Sequence, residues 1–265
     1  MEKSSRFDSS LPFSHVDIKS IVKTLQTDGI FVGFSLPQNI LEDILNYTYH
    51  YYCFAGGRAN LGFKILEKER FQAEFGQSFY TARYFNINLD CPAILELAYD
   101  PVLQEIATQY IGSAAKYTGA SLFWTFPTEG SIYDPDQQKF TKFHYDLDDF
   151  ASLRFCFYLT KVTLDDGPHI CIRGSHKRKS LFHVLNYMSR IQSEQTLIEF
   201  YGIEQFVTII GEPGFGFIED TFCFHKGTIP KNESRLFLQL HFAANRYSNT
   251  QFHDDRDPNT LKLFR

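Results

Sequence analysis

From Ser121 onward the chain breaks into short, β-favouring runs punctuated by turn residues, after a first half written largely in helical periodicity. Residues 121–126 read as a strand, residues 142–160 as one or two more, and residues 170–172, 206–210, 215–218 and 235–244 as others. Residues 181–201, lying among them, carry a helical pattern. Many short strands separated by turns, following helices, argue for an antiparallel barrel or sandwich with helices packed outside it.

The first half supplies those helices. Val16, Ile18, Ile21, Val22 and Leu25 recur at helical spacing until Asp28-Gly29 breaks the run. Ile30-Phe31-Val32 makes a short strand, and Pro37 opens a second helix ridged by Leu41, Ile44, Leu45 and Tyr49. A third helical stretch starts at Pro92, carries Ile94, Leu95, Leu97, Ala98, Val102, Leu103, Ile106 and Ala107, and ends at Gly112. Residues 52–90 show no clear period. Residues 1–13 read as a loose leader and residues 248–265 as a C-terminal tail. With no repeat or linker between them, the chain reads as one domain over 1–265. Its 28 Phe and 15 Tyr lift the aromatic share to 17%, enough for one deep core and a bias towards pleated surfaces.

Charge and cysteine usage exclude several functions. Twenty-six Lys and Arg against 31 Asp and Glu give a net charge of −5, the wrong sign for gripping phosphate backbones, so no nucleic-acid partner is expected. No apolar run reaches the roughly 18 residues a membrane span needs. The opening Met1–Asp8 has no apolar segment, so no secretory signal is expected. Cys53, Cys91, Cys156, Cys171 and Cys223 are odd in number and never spaced CxxC, against both a disulfide framework and a structural zinc site. A cytoplasmic protein is expected.

Phe143-His144-Tyr145-Asp146-Leu147-Asp148 carries the first chemical signal. Residues two apart on a strand share a face, so His144 and Asp146 would project side by side, near enough to bind one metal ion. Asp148 shares that face but sits about 13 Å beyond His144 on an ideal strand, less able to reach the same ion. A third ligand must come from elsewhere, and for open-sited iron a second His is the usual choice. An isolated HxD pair recurs by chance, most often as a solvated polar pair.

The second signal is Phe222-Cys223-Phe224-His225, a His closing an apolar stretch, followed ten residues later by Arg235. Arg235 opens a strand whose Leu236, Leu238, Leu240 and Phe242 take one face while Arg235, Phe237, Gln239 and His241 take the other. An inward Arg needs an anion, and guanidinium geometry matches a carboxylate. The far carboxylate of 2-oxoglutarate would supply one; a structural salt bridge would serve equally.

The order of these pieces resembles the phytanoyl-CoA dioxygenase family. HxD is followed by Asp166-Gly167-Pro168-His169-Ile170-Cys171-Ile172-Arg173-Gly174-Ser175-His176, where the family carries a Gly-Pro stretch running to Pro-Gly-Ser-His, and then by a distal His with Asn232 and Arg235. Asp28-Gly29-Ile30-Phe31-Val32 and Ala98–Leu103 also look like the family's opening segments, so the resemblance runs over roughly residues 14–247. It implies a mostly β fold with flanking helices, the double-stranded β-helix or jelly-roll, cupin-like barrel. It also implies an Fe(II)/2-oxoglutarate-dependent dioxygenase that uses O2 to hydroxylate a small-molecule or carrier-linked substrate, releasing succinate and CO2. The iron ligands fall on His144, Asp146 and His225, and the 2-oxoglutarate arginine on Arg235. Thr228 and Phe143 are further cosubstrate contacts by the same analogy. Arg173 replaces the family's Pro, a departure confined to a loop.

Trp124, Tyr145, Asp149 and His241 are candidate substrate-cavity residues, the last because it shares a face with Arg235. His169, His176, His183 and His253 read as loop or satisfied interior residues. No GxSxG elbow or GxxxxGK[ST] loop occurs, and Gly211-Glu212-Pro213-Gly214-Phe215-Gly216 reads as a turn. Two other readings stand beside the dioxygenase: a metal-dependent cupin enzyme with no use for 2-oxoglutarate, and a non-catalytic jelly roll that binds a small ligand.

Overall fold

Asp17 caps the first helix, its carboxylate accepting the Ser20 N–H at 3.2 Å. The computed structural model describes residues 13, 15–127, 141–179, 190–245 and 255–264. Helix α1 (Ile18–Asp28) buries Ile18, Ile21, Val22 and Leu25 and stops at Gly29, whose φ of 71° only glycine adopts without strain. β1 (Ile30–Ser35), α2 (Gln38–His50), α3 (Lys68–Phe75), α4 (Ile87–Asp90), α5 (Pro92–Ala98) and α6 (Pro101–Ile111) complete the helical half. Residues 52–90, which show no sequence period, also hold β2 (Tyr52–Ala55), β3 (Gly62–Lys64) and β4 (Thr81–Tyr84). Strands of three or four residues are too short to display an alternation.

The second half folds into two facing antiparallel sheets. β5 (Lys116–Thr125), β7 (Ser152–Tyr158), β11 (Phe215–Asp220) and β13 (Arg235–Ala243) join the earlier strands in an eight-stranded sheet, order β1-β11-β7-β13-β5-β4-β2-β3. β6 (Phe143–His144), β8 (His169–Ile172), β9 (Ile191–Gln192), β10 (Phe206–Ile209) and β12 (His225–Gly227) form the opposing five-stranded sheet, order β10-β8-β12-β6-β9. This is the double-stranded β-helix jelly roll. β13 shows why the sequence chooses it. Leu236, Leu238, Leu240 and Phe242 pack with α1, α2, α5 and α6 residues in the main core, each contributing roughly 2 kcal/mol of burial. Phe237 faces the other way, into a second cluster with Cys156, Tyr158, Cys171 and Phe217 between the sheets.

Residues 142–160 hold two strands, within the one or two expected: β6 ends at His144, and residues 145–151 loop out before β7 begins. One expectation needs correcting. The helix expected over 181–201 is α7 (Glu194–Tyr201) within the described residues, while Ile191–Gln192 is an edge strand and residues 180–189 lie outside them. Most of the leader lies outside the described residues. The described end of the tail runs beside β3, with Gly62 N–H donating to Lys262 O at 3.0 Å and Phe264 packing edge-on to Phe71. Among the described residues no helix is long and apolar enough to cross a membrane.

Candidate metal centre

Register lays out the inner face of the large sheet in rows. Gly119, His241, Arg154 and Glu219 stand side by side across β5, β13, β7 and β11. The next row holds Ser121, Gln239, Cys156 and Phe217; then Phe123, Phe237 and Tyr158; then Thr125 and Arg235. A polar row therefore sits at one end of the barrel interior and an arginine lies deep at the other, separated by a largely apolar middle. The wall between them opens at two places. Gln239 is the one half-buried residue of β13, and Phe123 is half-buried within the buried run from Gly119 to Thr125.

The small sheet presents the ligand histidines to the polar row. His144 and His225 are direct partners across β6 and β12, so their rings share a face and lie 4.5 Å apart between centroids. Each Nδ1 is fixed to a backbone carbonyl: His144 to Lys142 O at 2.8 Å, His225 to Cys223 O at 2.9 Å. Nδ1 therefore carries the hydrogen in each neutral ring, and Nε2 keeps the lone pair a metal requires. Asp146 reaches the same point from the loop after β6, its own N–H donating to Thr221 O at 2.9 Å. Asp146 Oδ2 is 3.5 Å from His225 Nε2, and Oδ1 is 4.0 Å from His144 Nε2. One donor atom from each of the three residues lies within 4.8 Å of the others, the only such His, Cys, Asp or Glu group among the described residues. Bonds of about 2 Å would draw cis donors to roughly 3 Å, a small side-chain movement from this arrangement.

Charge around the triad is internally balanced. Arg154 Nη2 contacts Asp146 Oδ2 at 2.5 Å and Asp148 Oδ2 at 3.0 Å, and its Nε donates to His241 Nδ1 at 3.1 Å. Glu219 Oε2 accepts from His169 Nε2 at 2.8 Å, and the His169 ring stacks on His225 at 5.5 Å. Burial pushes the Asp146 carboxyl up, but Arg154 and the two histidines outweigh it and hold the group well below the carboxylate range. Burial likewise opposes ionisation of Glu219, yet His169 and His225 bring its pKa down to about 2. The histidines split: burial, then the charge of His225, lowers His144 to about 4. For His225, burial is outweighed by Glu219 and Asp146, which raise it to about 9.

At the far end, Arg235 is 4% exposed. It donates Nη1 to Gly167 O and Nη2 to Thr125 Oγ1 at 3.3 Å, and lies over the Phe237 ring at 5.2 Å. Its buried Nε has no partner, and no carboxylate of the described residues pairs with it. Thr125 accepts from Arg235 and still has its own O–H to donate.

The structure brings His144, Asp146 and His225 together, sets Arg235 inside the same barrel, and ties His241 to the centre through Arg154. It gives five other candidates different surroundings. Phe143 and Tyr145 alternate with His144 and so lie on the outer face of the small sheet, in a cluster with Leu197, Tyr201 and Phe224. Trp124 alternates with Phe123 and Thr125, points into the helix-covered core, and donates Nε1–H to Tyr84 OH at 3.1 Å. Asp149 accepts the Asn245 N–H at 2.8 Å, bracing the loop after the triad. Thr228 gives its hydroxyl hydrogen to Pro168 O at 2.7 Å, shaping the turn that presents Gly167 to Arg235 rather than offering that hydrogen to a ligand. Sequence reasoning passed over Arg154, Glu219 and Thr125. A signal was there for two of them, a lone Arg in the apolar strand Ser-Leu-Arg-Phe-Cys-Phe-Tyr and an acidic pair closing the apolar run Phe-Gly-Phe-Ile-Glu-Asp.

Neither the family models nor the curated proteins contain a match to this sequence. Among solved structures, the chain is similar to the epimerase SnoN in complex with Fe3+, alpha-ketoglutarate and nogalamycin RO, with TM-score 0.61 and 15% identity over 94% of this chain and 93% of that one. It is similar to the non-haem alpha-ketoglutarate-dependent carbocyclase SnoK from nogalamycin biosynthesis, with TM-score 0.57 and 12% identity over 89% and 87%. HygX from Streptomyces hygroscopicus, solved with nickel and 2-oxoglutarate bound, gives TM-score 0.54 and 14% identity over 85% and 86%. At these identities the likeness establishes the fold: this chain has the jelly roll found in non-haem, 2-oxoglutarate-dependent enzymes.

Proposed function

We propose that the chain is a non-haem Fe(II)/2-oxoglutarate-dependent dioxygenase of the phytanoyl-CoA dioxygenase type. It would act in the cytoplasm on a small-molecule or carrier-linked substrate, hydroxylating a C–H bond. The observation that carries this reading is Arg235, a buried guanidinium without an anion, in the same barrel as a two-His, one-Asp group. A buried cation without a counter-ion is costly, and a dicarboxylate whose other end lies at the metal would satisfy it. A cupin enzyme with no use for 2-oxoglutarate has no need of Arg235, and a ligand-binding jelly roll has no need of the triad.

The donor set fits iron: two imidazoles with Nε2 lone pairs and an ionised carboxylate would hold Fe(II) as a two-His, one-carboxylate set. Bound there, Fe(II) with 2-oxoglutarate and O2 supplies the oxidising chemistry, with succinate and CO2 as the cosubstrate's products. The protein's part is to bind and orient. Arg235 and the Thr125 hydroxyl hold the far carboxylate, Phe123 and Gln239 line the wall between, and the apolar middle rows exclude water. The SnoN, SnoK and HygX likenesses support the cofactor pair, and as an epimerase and a carbocyclase the first two make reaction outcome the least constrained part of the reading.

The test is an anaerobic titration with Fe(II) and 2-oxoglutarate, following the visible metal-to-ligand charge-transfer band, then admission of O2 and assay of succinate. Wild type should show the band, His225→Ala should lose it, and Arg235→Met should need at least tenfold more 2-oxoglutarate. Folded, iron-loaded wild type without a band would overturn the assignment.

A further inference from the structure

We infer that Arg154 is a positioning residue that makes Asp146 a one-oxygen ligand and thereby keeps a coordination position of the metal open. The inference rests on the iron and 2-oxoglutarate reading above and goes beyond it to a residue that contacts neither group.

Three restraints fix the guanidinium. Its strand is paired on both sides, with Glu219 and His241 as the flanking register partners of Arg154. Its Nε is spent on His241 Nδ1 at 3.1 Å, and its Nη2 is shared between Asp148 Oδ2 at 3.0 Å and Asp146 Oδ2 at 2.5 Å. The side chain is 6% exposed, so water does not compete for these bonds. A charge-assisted hydrogen bond from so rigid a donor is hard to displace.

The carboxylate it holds has two oxygens, and that choice matters at a metal. Chelating through both, Asp146 would take two positions; with two histidines and a two-atom chelate from the oxoacid, all six would be filled. Through one oxygen it takes one, and a sixth position remains. Oδ2 lies 3.5 Å from His225 Nε2 but is the oxygen that Arg154 holds at 2.5 Å, so Oδ1, 4.0 Å from His144 Nε2, is the one offered to the ion. Asp148 holds the same Nη2 as a second acceptor, which also explains an acid two residues past Asp146 that does not join the ligand set. Simple electrostatics would predict something different: a cation this close should repel the metal, so its removal would tighten metal binding and change nothing else.

The experiment uses nitric oxide as a probe of the open position, read by electron paramagnetic resonance on anaerobic protein loaded with Fe(II) and saturated with 2-oxoglutarate. Arg154→Gln is compared with wild type, and the double variant Arg154→Gln with Asp148→Asn keeps the pocket's net charge should the single change fail to fold. The expected result is Fe(II) affinity equal to wild type within about threefold, or tighter, with nitric oxide affinity down at least tenfold, and partial recovery in Arg154→Lys. Wild-type nitric oxide binding in either glutamine variant would overturn the inference. So would loss of Fe(II) binding by about a hundredfold, which would mean that Arg154 only keeps the ligand in place. Wild type that binds neither Fe(II) nor 2-oxoglutarate would instead sink the functional reading itself.

Discussion

Replacing Arg235 by Met should move stability and cosubstrate affinity in opposite directions. In the protein without ligand, Arg235 is a buried cation whose Nε has no partner and whose neighbours are a carbonyl, a hydroxyl and an aromatic face. Exchanging buried charge for apolar volume is typically neutral or stabilising by about 1–4 kcal/mol. Against this stand the loss of the hydrogen bond to Gly167 O and of the contact with Phe237, each worth about 1 kcal/mol. With the exchange at the middle of its range, about 2–3 kcal/mol, the net is a gain of at most about 1 kcal/mol, which in a chain of this size raises Tm by no more than roughly 2–4 °C. Ligand reverses the ranking. With Ni(II) in place of iron and 2-oxoglutarate at a hundred times the wild-type Kd, wild type should gain about 2.7 kcal/mol and overtake the variant, which at tenfold or weaker affinity gains about 1.4 kcal/mol at most. Thermal melts of both proteins with Ni(II), with and without 2-oxoglutarate, make the comparison. A variant that melts well below wild type without ligand, yet is stabilised by 2-oxoglutarate to the same degree, would show that Arg235 is a structural residue.

The centre should also answer to pH: with His144 at about 4, His225 at about 9 and Asp146 ionised, a metal must displace one proton, from His225, across the intervening range. Apparent Ni(II) affinity should therefore rise about tenfold per pH unit through neutrality and level off above about pH 9, and a flat profile in calorimetric titrations would contradict the assigned charge states. Phe143→Ala should cost about 3–5 kcal/mol in denaturant unfolding, because the ring is buried in the outer cluster, while the Kd for 2-oxoglutarate stays within about threefold. A tenfold weaker cosubstrate at unchanged stability would return Phe143 to the site. Gly29→Ala should cost more than about 2 kcal/mol, since its φ is +71° and a Cβ would stand 2.3 Å from Cys223 Sγ. Gly112→Ala, at φ +78° in open space, should cost only about 1 kcal/mol, and equal costs in urea melts would refute the close approach.

What the sequence made legible depended on element length and on whether a face could be assigned. β13 is nine residues long, so its alternation shows both the core face and the inward set of Arg235, Phe237, Gln239 and His241. β6 is two residues long, so the argument that Asp146 shares a strand face with His144 reached a proximity that the chain achieves by a loop. Phe143 and Tyr145 flank a ligand in sequence and Trp124 is an aromatic of a barrel strand, yet each is one residue out of phase with an inward neighbour. In a pleated strand that single step sends the side chain to the opposite face. Arg154 and Glu219 carry their own signal, a charge at the edge of or within an apolar run, but what each is for depends on the partners at 2.5–3.1 Å that only the closed barrel supplies.

The two buried arginines show how the same residue type divides between framework and ligand. Arg154 sits in a row where every charge has an answer: Asp146 and Asp148 lie on one side, and the neighbouring Glu219 is held by His169. Apart from Glu219 Oε1, which has no hydrogen-bond partner, these groups answer one another, so they fix geometry and none is available to an incoming anion without loss elsewhere. Arg235 lies three rows deeper, where the neighbouring row offers Phe123, Phe237 and Tyr158 and no acid. An unanswered cation there is destabilising in the free protein, and the cost is recovered only when an anion arrives. An anion held at the triad by one end can answer Arg235 only with a second negative group at its other end, so a single carboxylate would satisfy only one of the two. That need for two anionic ends is a physical reason for a dicarboxylate such as 2-oxoglutarate that stands apart from any likeness to other proteins.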